Sequence, residues 1–186
     1  VCACEDFTNN ENMLYEFENL ALSTNPDKKI ETEVKDIMEV IDESRMIDTN
    51  ETKKQFWRMF IIDAIIGNTD RHNGNWGFLV NKVTGKISFA PIYDCGSCLN
   101  PIIEDVEIEK INDTELKNLA INSYSCLKEN GKKINYMAYI KKMENSECNK
   151  AIKDVFNKIE IEKIMDFIDD IACISKTRKE FYKAII

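Results

Sequence analysis

Glycine and proline are scarce in this 186-residue chain, and both are unevenly distributed. The sequence has six glycines and three prolines, and five of the glycines and two of the prolines lie between residues 67 and 101. No glycine precedes Gly67, which excludes a glycine-rich phosphate-binding loop from the first 66 residues. We therefore expect the backbone to bend most within residues 67–101, with regular helices on either side.

An excess of positive charge and long apolar runs are also missing. Lys and Arg number 25 against 33 Asp and Glu, a net charge of −8. Such a chain makes poor unaided contact with nucleic acids or anionic membranes, and we expect neither as a partner. No apolar run approaches the roughly 20 residues of a membrane span. The start resembles no signal peptide and has no Met, so we expect a piece of a longer protein.

Seven scattered cysteines and one histidine complete the unusual composition. An odd number of cysteines without a secretion signal predicts reduced thiols in a cytoplasm. Cys95 and Cys98 form a C-x-x-C, which is compatible with half a zinc site or a redox pair. With a single histidine and no second C-x-x-C, the sequence favours unpaired thiols that happen to lie close.

Helical spacing of apolar residues dominates both ends of the chain. The segment 51–66 is apolar nearly all round from Phe56, which is typical of a buried helix. Thr49 or Asn50 can cap its start, and Gly67 can end it. Asp63, inside this helix, is expected to be a buried polar group that braces the following loop. The same spacing predicts helices over 11–23, 30–45, 115–121, 136–143, 148–156, 161–171 and 176–186.

Between these helices the apolar residues no longer follow helical spacing, and the sequence predicts a hairpin. Residues 76–80 and 86–90 have the composition of strands, and residues 81–85 carry turn-forming side chains. The expected fold class is therefore α+β, predominantly α-helical, with a small hairpin at about 76–90 in a single domain over residues 1–186.

Polar residues flank the hairpin at positions that suit catalysis. Asp70 lies in the loop after the buried helix, Asn75 immediately precedes the first strand, and Asp94 follows the second. Antiparallel strands lie about 4.8 Å apart, so we expect Asn75 and Asp94 to meet at the open end of the hairpin. Their oxygens are ligands that suit Mg²⁺. Asp70 is then free to accept a proton from an attacking hydroxyl group.

This layout resembles the protein-kinase catalytic core, in which an aspartate, an asparagine five residues later and a hairpin precede Asp-x-Gly. Here the last motif is Asp94-Cys95-Gly96. The order Asp70-Arg71-His72 resembles phosphoinositide kinases and, more closely, HipA-like bacterial serine/threonine kinases. Residues 66–78 (IGNTDRHNGNWGF) and 90–97 (APIYDCGS) carry the resemblance, which extends over about 56–99.

The resemblance to HipA-like kinases implies a phosphotransferase with ATP and Mg²⁺ as cofactors. Asp70 would be the catalytic base or would position the substrate hydroxyl, and Asn75 and Asp94 would be metal ligands. His72 would face the γ-phosphate, orient Asp94, or be structural. Gly96 would contribute to cofactor binding by giving the metal-binding turn unusual dihedral angles. The implied substrate is a protein Ser or Thr hydroxyl.

The resemblance also implies how the chain is organised. Residues 1–7 would be a hinge segment, 8–67 helices, 68–99 the catalytic loop, hairpin and metal-binding turn, and 100–186 a helical subdomain. No glycine-rich loop or strand lysine is found, so the chain resembles a kinase C-terminal lobe whose N-terminal lobe is a missing partner. We expect this lobe alone to be inactive.

Two other functions stay open from the sequence. Because Asp-Arg-His also resembles phosphoinositide kinases, the enzyme could phosphorylate lipids or small molecules. Alternatively, the lobe could be a non-catalytic interaction module related to toxin–antitoxin kinases, which binds an antitoxin-like protein. An upstream phosphate-binding loop and strand lysine would distinguish an enzyme from such a module.

Overall fold

The computed structural model describes residues 6–27 and 30–186, so most of the expected hinge segment at 1–7 lies outside the described residues. Its first half contains β1 (Asn12–Glu16), α1 (Phe17–Thr24), α2 (Val34–Glu43), α3 (Thr49–Ile66), β2 (Gly77–Asn81) and β3 (Ile87–Phe89). The second half contains α4 (Asp105–Ile108), α5 (Asp113–Ile121), β4 (Tyr124–Glu129), β5 (Lys132–Asn135), α6 (Tyr136–Lys142), α7 (Ser146–Phe156), α8 (Ile161–Asp170) and α9 (Lys176–Ile185). The α+β class with predominant helices is confirmed.

Helix α3 is buried in the core, and the loop that contains Asp70 follows it directly. Its N-cap is Asp48, one residue before the predicted cap, and the Asp48 carboxylate accepts the N–H of Glu51 at 2.9 Å. Gly67 ends the helix as predicted, with a positive φ of 63°. Because residues without a side chain adopt that conformation at little cost, the chain turns sharply there into the next loop.

The predicted hairpin is present and belongs to a three-stranded antiparallel sheet in the order β1-β2-β3. The third strand corrects the sequence interpretation, because the helix expected over 11–23 begins only at Phe17. Residues 12–16 instead pair with β2, with Leu14 opposite Leu79. The pattern of Met13 and Leu14 fits helical spacing, but pairing with a strand some 65 residues away decides the structure.

Aromatic side chains pack the sheet onto the helices. Trp76, directly before β2, stacks on Phe17 with ring centroids 4.2 Å apart and on Phe89 at 5.7 Å. Trp57 and Phe60 of α3 are also buried in this core. The hairpin is therefore held rigidly against α3, which fixes the loop between them.

A second hairpin corrects the expectation of a purely helical segment over 100–186. Strands β4 and β5 pair around Asn130 and Gly131, which both have positive φ. An Asn-Gly pair between two short strands is a strong hairpin signal that the helical interpretation passed over. Within the described residues, no helix is long and apolar enough to cross a membrane.

Candidate active site

The loop after α3 alternates buried and exposed polar residues. Asn68, Arg71, Asn73 and Asn75 are buried, whereas Asp70 is exposed. Polar groups are buried at a large cost unless they are hydrogen-bonded. The loop is therefore held by an internal polar network that presents Asp70 at its surface.

Arg71 is the centre of this network and is fully buried. Its Nε and Nη2 donate to the two carboxylate oxygens of Asp63, each at 2.9 Å. Its Nη1 donates to the backbone carbonyls of Asn75 and Tyr93, each at 2.5 Å. One guanidinium thus ties the end of α3 to both sides of the hairpin's open end.

Asp63 has the bracing role expected from the sequence. Its carboxylate also accepts a hydrogen bond from Asn68 at 2.9 Å. Burial raises the pKa of Asp63, and the hydrogen bonds from Arg71 and Asn68 oppose that rise. Burial alone would lower the pKa of Arg71, but the bonds to Asp63 raise it above its ordinary value. Arg71 and Asp63 therefore form a buried ion pair, 2.9 Å apart, that braces the loop.

The backbones of the segments that carry Asn75 and Asp94 meet, as the hairpin geometry predicts. The carbonyls of Asn75 and Tyr93 share one nitrogen of Arg71, and the Tyr93 hydroxyl donates to the carbonyl of Gly74 at 3.1 Å. The side-chain amide nitrogen of Asn75, Nδ2, donates to the backbone carbonyl of Asp70 at 2.8 Å. Because this nitrogen is already bonded, the side-chain amide oxygen is the atom of Asn75 that suits metal binding.

The turn after the hairpin has its unusual backbone at Asp94, not at Gly96. Asp94 has a φ of 51°, whereas the φ of Gly96 is not positive. The expectation that Gly96 supplies unusual dihedral angles is therefore wrong. A Cβ on Gly96 would lie 3.8 Å from the Asp94 carboxylate, so Asp94 folds over this turn. Positive φ at a residue other than glycine is strained and often occurs at functional sites.

His72 is exposed, and its ring lies over its own loop. Its Nδ1 accepts the backbone N–H of Gly74 at 3.1 Å. A Cβ on Gly74 would lie within 3.3 Å of this ring and 3.5 Å from a Glu18 oxygen. This contact supports the structural alternative for His72, because the ring caps the turn rather than bonding to Asp94.

Cys95 and Cys98 lie in contact beside the same network. The Cys98 N–H donates to the Cys95 carbonyl at 3.2 Å, and Nη2 of Arg71 lies 3.6 Å from the Cys95 sulfur. A hydrogen bond from the Cys98 thiol, aided by Arg71, lowers the pKa of Cys95 to about 6 against the effect of burial. The same bond and burial raise the pKa of Cys98.

The donor groups fit a metal ion held mainly by a substrate. In the part of the chain that the structure describes, no group of three or more His, Cys, Asp or Glu side chains is placed to hold a metal. Asn75 and Asp94 offer one amide oxygen and one carboxylate. Such a sparse oxygen set is typical of Mg²⁺ that takes its other ligands from phosphates and water.

A cavity of about 170 Å³ adjoins the loop. Thr69 lines it on the side of the loop, Ser97 on the side of the Asp94 turn, and Leu119 on the side of α5. An apolar cavity of about 150 Å³ is enough for a benzene ring. The cavity therefore has space for one side chain beside Thr69, the residue before Asp70.

The kinase-like arrangement of loop, hairpin and Asp-x-Gly turn agrees with the comparisons. The HipA-like C-terminal domain model matches residues 13–166, so the chain belongs to the HipA-like C-terminal domain family. It is 37% identical over 193 residues to the serine/threonine-protein kinase CtkA of Helicobacter pylori, covering 100% of this chain and 59% of the relative. The chain therefore spans less than two thirds of that relative's length.

The structural comparison gives the same relationship. The crystal structure of a Helicobacter pylori proinflammatory kinase, CtkA, matches with a TM-score of 0.92 and 36% identity. The match covers 98% of this chain and 68% of the CtkA chain. Sequence and structural similarity at this level support a kinase-like function.

Sequence reasoning missed Arg71 as the organising residue. It treated Arg71 only as the middle of the Asp-Arg-His motif, because an arginine in a polar loop is usually exposed. One signal was present: Asp63 lies eight residues earlier in an apolar helix, and a buried carboxylate needs a cationic partner.

Proposed function

We propose that this chain is the C-terminal lobe of a HipA-like serine/threonine kinase. The intact protein transfers the γ-phosphoryl group of ATP to a Ser or Thr hydroxyl of a protein substrate. The observation that carries the proposal is the Arg71 network, which ties the Asp70 loop to the turn that bears Asp94. Membership of the HipA-like family supports the proposal that this arrangement is a kinase site rather than an arbitrary polar cluster.

Asp70 acts as the base or positions the acceptor hydroxyl. Its side chain is exposed, while its backbone is held by the Asn75 amide. An exposed carboxylate on a loop whose backbone is held would accept the proton that the attacking hydroxyl loses. A substrate side chain would occupy the adjoining cavity beside Thr69.

Asn75 and Asp94 would hold Mg²⁺ through their oxygens, and Gly96 would leave space beside Asp94 for the nucleotide phosphates. When bound, Mg²⁺ neutralises the charge that develops on the transferred phosphoryl group. Asp94, whose carboxylate is exposed, would contribute the main negative charge of the protein to this ion. His72 contributes by holding the turn at Gly74, which keeps Asn75 in register with Asp70.

The complete site needs an upper lobe with a phosphate-covering loop and a lysine. The relatives are longer than this chain, which is consistent with a missing N-terminal lobe. We propose that the isolated chain positions nucleotide poorly and is inactive alone. The free thiols among the described cysteines fit a cytoplasmic location, and an antitoxin-like protein remains a proposed partner.

Turnover of ATP by the intact protein tests this function. Asp70→Ala should lower phosphoryl transfer to itself or to a Ser/Thr substrate by roughly 10²–10⁴-fold, the usual share of a positioned base. Asp94→Ala should reduce turnover at least as far, because Mg²⁺ loses its main anionic ligand. Residues 1–186 alone should show no turnover.

The matched control is Asp166→Ala, which removes an exposed carboxylate of α8 far from the loop in sequence. This variant should keep full turnover. Undiminished turnover in Asp70→Ala, or robust turnover by residues 1–186 alone, would contradict the proposed roles. Circular dichroism of each variant separates lost chemistry from lost folding.

A further inference from the structure

We propose that Cys95 and Cys98 form an oxidation site, at which a peroxide closes a disulfide that displaces the Asp94 turn. The effect of closure on nucleotide binding rests on the proposed kinase function, whereas the oxidation site itself does not. The pair is built into the turn rather than being two unrelated surface thiols. Three features of the structure support this.

The first feature is the backbone geometry between the two cysteines. The Cys98 N–H donates to the Cys95 carbonyl at 3.2 Å, which closes a four-residue turn. Such a turn holds its first and last Cα atoms less than about 7 Å apart. A disulfide needs a Cα separation of about 4.4–6.8 Å. The turn therefore already brings the two residues to the separation that a disulfide requires.

The second feature is the arrangement of the thiols. The turn places both thiols on one short segment, and both residues are half-buried. A small oxidant can therefore reach the pair, and Cys98 is the resolving thiol that the turn places beside Cys95. Arg71 lies 3.6 Å from the Cys95 sulfur and donates toward it, so this sulfur lies against the buried network.

The chemistry needs one molecule of a hydrogen peroxide-type oxidant. The Cys95 sulfur attacks one peroxide oxygen, the O–O bond breaks, and the other oxygen leaves as water with the thiol proton. The Cys98 sulfur then attacks the sulfenic acid, an S–S bond forms, and its hydroxyl leaves as a second water with the Cys98 proton. Two thiols lose two hydrogens and two electrons, and the peroxide is reduced to two waters.

The third feature links closure to the candidate site. Cys95 directly follows Asp94, whose carboxylate folds over Gly96 within the turn. A disulfide holds its two sulfurs about 2.05 Å apart, so closure draws the sulfurs together and shifts Cys95 relative to Arg71. Asp94 already has a strained backbone with a φ of 51°. Since misplacement by about 1 Å can cost roughly 10²-fold in rate, closure should disable the metal-binding turn.

Peptide mapping of the intact protein tests the oxidation site without any activity assay. Trypsin releases residues 87–110 as one peptide, which contains Cys95 and Cys98 and no other cysteine. After brief treatment with hydrogen peroxide, this peptide should be lighter by two hydrogens, and dithiothreitol should restore its mass. The exposed Cys173 should not form a disulfide under the same conditions.

Cys98→Ser is the matched variant, because it keeps a small polar side chain at the resolving position. It should not lose two hydrogens, and Cys95 should instead carry added oxygen. An unmodified peptide, two independently oxygenated cysteines, or a cross-link from Cys95 to a different cysteine would each overturn the proposed site.

The effect on nucleotide is measured by calorimetric titration of reduced and oxidised protein with a non-hydrolysable ATP analogue and Mg²⁺. Oxidation should weaken binding by about tenfold or more, reversibly, and Cys98→Ser should lose this reversible response. Equal affinity in both states would overturn the displacement of Asp94. If the reduced protein binds no nucleotide, the kinase proposal and the displacement both fail, while the mass of peptide 87–110 still decides the oxidation site.

Discussion

The hairpin of β2 and β3 has a polar segment at each end, and the two segments are held in different ways. At the closed end, the Asn81 side chain accepts the backbone N–H groups of Val83 and Thr84 at 3.1 and 2.8 Å. Residues 82–86 are exposed. At the open end, the side chain of Arg71 is buried and reaches Asp63 and Tyr93.

The difference separates a turn that folds from local chemistry from a loop that needs the whole fold. Asn81 bonds to residues two and three positions away, which is the ordinary use of asparagine in turns. Arg71 bonds across 8 and 22 residues. Polar residues of similar composition thus become a rigid site only where distant segments bury and join them.

Arg71→Leu should produce the largest effect on stability. It leaves the buried Asp63 carboxylate without its cationic partner, which typically costs about 3–5 kcal/mol. Urea unfolding followed by circular dichroism measures the loss. The double variant Arg71→Leu with Asp63→Leu should recover part of it, because no charge then remains buried and unpaired.

Arg58 provides the matched control for that prediction. It pairs with Asp154, and both side chains are partly exposed, so Arg58→Leu should cost only about 1 kcal/mol or less. A stability of Arg71→Leu within about 1 kcal/mol of the unsubstituted chain would mean that the buried network does not hold the open end.

Asn81→Ala should have a much smaller effect than Arg71→Leu. It removes local hydrogen bonds at an exposed turn, at a cost of about 0.5–1.5 kcal/mol, and leaves the open end untouched. Urea unfolding should show this modest loss, while ATP turnover of the intact protein stays unchanged. A large loss of turnover in Asn81→Ala would show that the two ends of the hairpin are coupled.

The same contrast explains what the sequence could predict. The hairpin, its turn and the end of α3 at Gly67 follow from local residue types, and all were expected. Strand β1 was expected to be helical, because its local spacing fits a helix. Its strand partner could not be seen locally, since Leu79 lies 65 residues from Leu14. The second hairpin had a local signal in Asn130-Gly131, so that omission was avoidable.

At the candidate site, residue identities were easier to predict than their conformations. Asp70, Asn75 and Asp94 stand out by spacing, and the meeting of the hairpin segments follows from strand geometry. The positive φ at Asp94 could not be predicted, since sequence preference assigns it to the neighbouring Gly96. Nor does spacing show that Arg71 points inward, because that depends on the burial of Asp63.

Binding of Mg²⁺ and nucleotide by the Asp94 turn is the central claim, and calorimetry tests it most directly. The intact protein is titrated with a non-hydrolysable ATP analogue, with and without Mg²⁺. Asp94→Asn should weaken binding at least about tenfold in Mg²⁺ and have little effect without it, whereas Asn81→Ala should match the unsubstituted protein in both. An Asp94→Asn variant that binds the Mg²⁺–nucleotide as tightly as the unsubstituted protein would contradict the assignment of this turn as the metal site.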